Sequence, residues 1–386
     1  MASTRGTGNF GGSREILHPS LEVESGRRSY NTMTSSTNEH AASMSSQVAD
    51  PVEMGQETPQ RRKKSCTCYY QKAGFVEHVV YFCALSVASY IGVVIRIYLS
   101  RLSEWNGVPL FPSFSAELVG TAIMGFIAAH TKLLATTHKA VYQAIATGLC
   151  GSITTFSSWN SEAAEILLQI GRESPDNATR IIGWVTTLIL GVGMPVAALH
   201  FGRHLAQLSP LSDLKLQGGN VQENRSAAQK VCIKLESTTF LVCWILLTCL
   251  GIAISYHFSQ FKLMFSIIFA PFGTYLRWHL APFNSMFTNF KLGTFIVNVG
   301  GSWILAGTLV AKTHLSGVVG PQHLGVLTLS GLGTGFCGCL TTVSTFAGEL
   351  SSLSLVGSYV YAIASILLAQ LGMVAIRGTY KWVGNT

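Results

Sequence analysis

Two stretches of otherwise apolar sequence carry polar side chains in a repeated pattern. Residues 146–165 read ATGLCGSITTFSSWNSEAAE, and residues 333–350 read GTGFCGCLTTVSTFAGEL. Each sets two glycines (Gly148 and Gly151; Gly335 and Gly338) ahead of two threonines (Thr154 and Thr155; Thr341 and Thr342), followed by further hydroxyls. Glycine admits the backbone angles that break a helix. Hydroxyls such as Thr154, Thr155 and Ser157 can satisfy the carbonyl and amide groups that a break releases. The pattern predicts a broken helix whose bare carbonyl oxygens could coordinate a small cation. A plainer alternative is that glycine and hydroxyl only let helices pack closely. A third chemistry, Ser152 as a nucleophile with His200 or His279 as base, would make an intramembrane serine protease. The second copy argues against it, because Cys339 stands where Ser152 does.

The elements that hold these motifs are membrane helices. Of 386 residues 48% are hydrophobic and only 11% charged, and the mean hydropathy is +0.37, which excludes an ordinary soluble domain. A crossing needs roughly 20 apolar residues. Windows at 76–100, 115–130, 181–201, 238–256, 262–280, 292–311 and 355–376 meet or approach that length, and the two motif windows bring the expected crossings to nine. The expected fold is an all-α integral membrane protein.

Residues 1–75 are rich in Ser, Thr, Gly, Asn and Glu and read as a disordered tail. Its basic run, Arg61 to Lys64, is expected to stay cytoplasmic. Cys66 and Cys68 beside it are open to palmitoylation, and the remaining cysteines read as small packing residues rather than a disulfide or zinc framework. The net charge of +8 is spread over loops, so it reflects membrane topology rather than nucleic-acid binding. With the amino terminus inside, the sequon at Asn177 lies outside, where glycosylation is feasible.

The repeat extends beyond the motif. Gly92 and Arg96 in YIGVVIRIYL match Gly273 and Arg277 in PFGTYLRWHL, 181 positions apart. Glu117 and Gly120 in AELVGTAIMG match Asn298 and Gly301 in VNVGGSWILA at the same offset, and the hydroxyl motif follows at 187. The chain therefore divides into a first four-helix repeat (76–206), a cytoplasmic linker (207–236), one unmatched helix (237–258), a second four-helix repeat (259–378) and a short tail (379–386). An even repeat followed by a single extra crossing inverts the second half, so the two halves form an inverted repeat with the third helix of each broken. Arg96 and Arg277 are expected to anchor helix ends by snorkelling, and Glu162 and Glu349 to cap the helix starts after the breaks.

Taken together, TTFSSW and TTVSTF with a preceding G-x-C-G, the NVGG helix and the G-x-x-x-R first helix resemble the CrcB or Fluc family of fluoride channels in its eukaryotic two-domain form. The resemblance covers about 75–380. It implies a fluoride-selective channel, not an enzyme, that releases cytoplasmic fluoride down its electrochemical gradient. It also implies a structural sodium ion on the backbone carbonyls of Gly151, Thr154, Gly338 and Thr341. The implied pore draws on Asn298, Phe156, Phe346, Ser344, Thr345, Tyr361 and Ser365. Glu117, Trp159 and Val343 depart from the family pattern, which implies one working pore and one vestigial pore. Hydrogen fluoride crosses membranes as the neutral acid and dissociates in a near-neutral cytoplasm, so an anion pathway under an inside-negative potential would release it; a plasma-membrane protein is expected, in contact with lipid and working as an internal pseudo-dimer without a protein partner. The rival of similar architecture is a proton-coupled anion exchanger titrating at Glu117.

Overall fold

A computed structural model describes residues 74–103, 111–131, 134, 138–171, 176–209 and 226–384. The N-terminal tail with its basic run and Cys66 and Cys68 lies outside the described residues, as does 210–225 of the linker.

The apolar windows are helices: α1 (Phe75–Ser103), α2 (Phe114–Ala129), α4 (Asn177–Gln207), α5 (Ser226–His257), α6 (Phe261–Leu280), α7 (Leu292–Val319) and α9 (Leu355–Gly384). The third segment of each half is interrupted. It consists of α3a (139–153) and α3b (Phe156–Leu168) in the first half, and of α8a (324–340) and α8b (Val343–Leu350) in the second. Helix α5 begins at Ser226, so the second part of the expected linker is helical. Asp176 starts α4 by accepting the amide of Thr179 at 2.6 Å, a bond that holds its carboxyl below the usual range.

By length and composition six described helices can cross a membrane: 77–103, 177–207, 237–257, 292–319, 324–350 and 355–383. Phe114–Ala129 is a shorter apolar helix. The distribution of side chains suits lipid. Ile182, Ile189, Leu246, Leu250, Leu367 and Leu371 are exposed, whereas Ser89, Ser152, Thr274, Asn298, Ser302 and Ser365 are buried. Because hydrocarbon offers no hydrogen bonds, polar groups turn inward to one another. The chain is an integral, multi-pass membrane protein.

Packing is matched between the halves. Helix α2 lies on α4 and α7 on α9, while α1 packs on the last turns of α3a and α6 on those of α8a. The halves interlock through the segments after the breaks: α3b packs on α7 and α9, and α8b on α2 and α4. Helix α5 packs on α1 and α6, where Trp244 Nε1 donates to Tyr90 OH at 3.2 Å.

Candidate functional site between two helix breaks

Both breaks have the same anatomy. A π-helical turn (Ala144–Cys150; Leu332–Cys337) leads into one residual α turn, and the chain then runs extended through two threonines. Thr154 and Thr155 have φ/ψ of −89°/144° and −146°/108°, and Thr341 and Thr342 of −90°/154° and −154°/133°. The interruption therefore falls on the threonines, whereas Gly151 and Gly338 keep helical angles. This corrects the expectation that the glycines bend the chain. They are there for close approach: a Cβ at Gly148 would meet Ala88, one at Gly335 the backbone of Ser266, and ones at Gly151 and Gly338 the guanidinium groups of Arg277 and Arg96.

The released groups are satisfied across the two halves. Thr155 and Thr342 cap α3b and α8b by accepting the amides of Ser158 and Thr345. Thr341 Oγ1 accepts the amide of Ser157 at 3.1 Å, and Thr154 Oγ1 accepts that of Ser344 at 3.1 Å. The same two hydroxyls donate to the carbonyls of Cys337 and Cys150. Every contact occurs twice with the halves exchanged.

The second helix of each half supplies the next partner. Asn298 Oδ1 accepts the Thr342 amide at 2.9 Å and its Nδ2 donates to the Thr342 carbonyl at 3.1 Å, closing a two-bond ring. Glu117 Oε1 accepts the Thr155 amide at 3.0 Å, but no donor reaches its buried Oε2 among the described residues. The carboxylate thus reproduces one bond of the amide and leaves the other unmade. Asn298 is 0% exposed and Glu117 1%.

Arg96 and Arg277 do not snorkel. They are 4% and 5% exposed, and each reaches the broken helix of the opposite half. Arg277 donates to the carbonyls of Gly151 (2.8 Å) and Thr147 (2.6 Å), with a longer contact to Thr341 O (3.4 Å), while Arg96 donates to those of Gly338 and Thr334. Three of the four carbonyls expected to hold sodium therefore already accept from a guanidinium, Thr341 at the longest distance, and although each carbonyl keeps a second lone pair, the positive charge of these groups opposes a further cation. Glu162 and Glu349 do not cap α3b and α8b either, since the threonines do so. Glu162 Oε2 accepts from Ser113 Oγ (2.8 Å) and Ser113 N (3.3 Å) at the start of α2. Glu349 Oε1 accepts from Thr294 Oγ1 (2.6 Å) in the first turn of α7 and from Asn284 Nδ2 (2.8 Å).

Beside the breaks lies a buried cluster containing Phe156, Trp159, Val343, Phe346 and Tyr361. The rings of Phe156 and Phe346 meet edge to face with centroids 5.3 Å apart, Phe346 lies 5.2 Å from Tyr361, and Trp159 lies 5.2 Å from Phe156. Trp159 and Val343 thus belong to the same cluster as the phenylalanine pair. Tyr361 OH donates to Glu349 Oε2 at 2.7 Å and Ser365 Oγ to Tyr361 O at 2.7 Å. Ser344 faces Thr154, and Thr345 lies on the Thr342 cap. Thr294 escaped the sequence reading, although Ser113 and Thr294 share the 181 offset and Glu162 and Glu349 the 187 offset. Gln370, whose Nε2 donates to Asn160 Oδ1 at 2.9 Å, had no counterpart to mark it.

A membrane protein that is helical throughout its described residues, with two similar halves that exchange matching contacts through a pair of broken helices, is the class that this architecture defines. The family model described as CrcB-like protein, Camphor Resistance (CrcB), matches residues 83–199 and again 264–378, and the chain belongs to that family. It is 34% identical to Fluoride export protein 1 of Candida albicans over 63% of this chain and 62% of that protein. It is 29% identical to Fluoride export protein 1 of Neurospora crassa over 76% of this chain and 65% of that protein. The matches therefore span a little under two thirds of the length of these two relatives. A bacterial protein, the Fluoride-specific ion channel FluC of Acinetobacter baylyi, is 39% identical over 30% of this chain and 90% of its own length. No solved structure matches the chain.

Proposed function

We propose that the chain is a fluoride-selective anion channel that releases cytoplasmic fluoride through one working pore. The observation that carries this reading is the buried Phe156–Phe346 pair in ring contact with Tyr361, whose carbonyl accepts from the buried Ser365 one turn along α9. Fluoride leaves water only where donors replace its hydration shell. Aromatic edges, hydroxyls and an amide supply such donors without the trapping charge of a fixed cation. At 5.3 Å between centroids the two rings touch, so an ion passes only as a ring turns aside, which favours the smallest anion. The names of the relatives, fluoride export protein and fluoride-specific ion channel, support this chemistry.

The difference between the last helices supports a single pore. Aligning Gly193-Met194 with Gly372-Met373 sets Ile182 opposite Tyr361 and Thr186 opposite Ser365. Tyr361 and Ser365 are buried, whereas Ile182 and Thr186 are exposed on α4. With Glu117 in place of an amide, the second path has lost its donors, and an ionised carboxylate there repels an anion.

The nine segments cross the membrane, α5 inverts the second half, and the exchanged contacts follow from a two-fold axis in the membrane plane. The amino terminus is cytoplasmic and the protein resides in the plasma membrane, working as a monomer. There an inside-negative potential drives fluoride out without fuel.

Fluoride efflux from liposomes holding the purified full-length protein tests the proposal. Efflux that follows voltage and ignores a proton gradient supports a channel. The second reading, proton-coupled exchange, draws on the unpartnered buried oxygen of Glu117, and proton-driven accumulation of fluoride would favour it. Efflux no faster than from empty liposomes would remove both.

A further inference from the structure

We propose that the centre of this protein is held by its own guanidinium groups, those of Arg96 and Arg277, in place of a bound sodium ion. A buried backbone carbonyl needs a donor, and each break leaves one without its helical partner. In an uninterrupted helix the Gly151 carbonyl would accept the amide of Thr155, and the Gly338 carbonyl that of Thr342. Those amides instead go to Glu117 and Asn298, so both carbonyls are orphaned in the membrane interior. Arg277 donates to Gly151 O and Arg96 to Gly338 O. The second nitrogen of each fork takes a carbonyl of the π-helical turn, Thr147 O or Thr334 O, where the wider turn alters the normal pairing. One planar fork thus closes two bare carbonyls, which an ammonium on a flexible stem does poorly.

Three further observations fit this role. Each arginine belongs to one half and the two carbonyls its fork closes to the broken helix of the other, with Arg277 making a longer contact to Thr341 O of its own half, so the two forks tie the halves together reciprocally. Neither has a carboxylate partner among the described residues, where the ion pair found is Arg377 with Glu165 at 2.9 Å. Gly151 and Gly338 are the positions at which a Cβ would run into the guanidinium groups, which gives these glycines a reason independent of backbone angle. A sodium ion at the same carbonyls would meet two covalently attached cations already seated there.

The test is thermal unfolding of the purified full-length protein in detergent, in sodium, potassium or N-methylglucamine chloride at equal ionic strength. The expected midpoints are the same in all three, and a saturable rise specific to sodium would overturn the proposal. A second arm compares Arg277→Lys and Arg277→Met. Both should unfold several degrees below the wild type in every salt, and the methionine variant lower than the lysine variant. Unchanged unfolding of Arg277→Met would equally overturn it. Should that variant not fold, Arg277→Lys and the wild-type salt series still decide. The readout is independent of fluoride transport.

Discussion

Thr154 of the first half accepts the amide proton of Ser344 in the second at 3.1 Å, and Thr341 accepts that of Ser157 at 3.1 Å. Each hydroxyl ends one helix fragment and caps the fragment that begins in the other half. Thr154→Val keeps the shape and leaves a buried amide without its acceptor. The expected loss is about 1–3 kcal/mol of stability, with a similar loss for Thr341→Val. Thr154→Ser, which keeps the oxygen, should recover most of it. Unfolding midpoints of the three variants check this, and a valine variant as stable as the wild type would contradict it.

Neighbouring glycines of α7 should respond oppositely. A Cβ at Gly301 would run into the Thr341 methyl, and one at Gly120 would lie 2.6 Å from the Thr154 methyl, whereas one at Gly300 meets nothing within 4 Å. Gly301→Ala and Gly120→Ala are therefore expected to cost about 1–3 kcal/mol through overpacking. Gly300→Ala should be neutral or stabilising by up to about 1 kcal/mol, because alanine is the better helix former. Comparing the three by thermal unfolding separates packing from propensity.

Glu349 is surrounded by three neutral donors, from Thr294, Asn284 and Tyr361. Tyr361→Phe removes the donor to Oε2 while keeping the ring beside Phe346. A stability loss of about 1–3 kcal/mol is expected. If the conducting path runs past this ring, fluoride efflux should fall as well, measured on variant protein of confirmed folding. An efflux rate equal to the wild type would separate the Glu349 cluster from the path.

Asymmetry between the two paths gives the sharpest contrast. Phe346→Ile removes one ring of the touching pair, and Asn298→Asp replaces the amide donor to Thr342 O with an acceptor. Each should slow fluoride efflux at least tenfold, a change equivalent to about 1.4 kcal/mol. Glu117→Gln, which supplies the donor that its site lacks, and Val343→Ala should leave most of the flux. Equal losses in both pairs of variants would mean two working paths.

The interruptions, the duplication and the membrane class were legible in the order of the residues. Each threonine pair follows a glycine by three residues within an apolar run, and two copies at nearly constant offsets exclude coincidence. These are local or periodic properties, readable because hydrocarbon leaves the backbone few solutions. Which group meets which orphan was decided only by the tertiary structure. Gly151 and Arg277 lie 126 residues apart, and Thr154 and Ser344 lie 190 apart, so no spacing rule connects them. For the same reason the glycines read as bends when they are gaps for a guanidinium, and the arginines as surface anchors when they are buried crosslinks. A residue type states what a side chain can donate or accept, but only packing between distant segments determines which carbonyl is left without a partner.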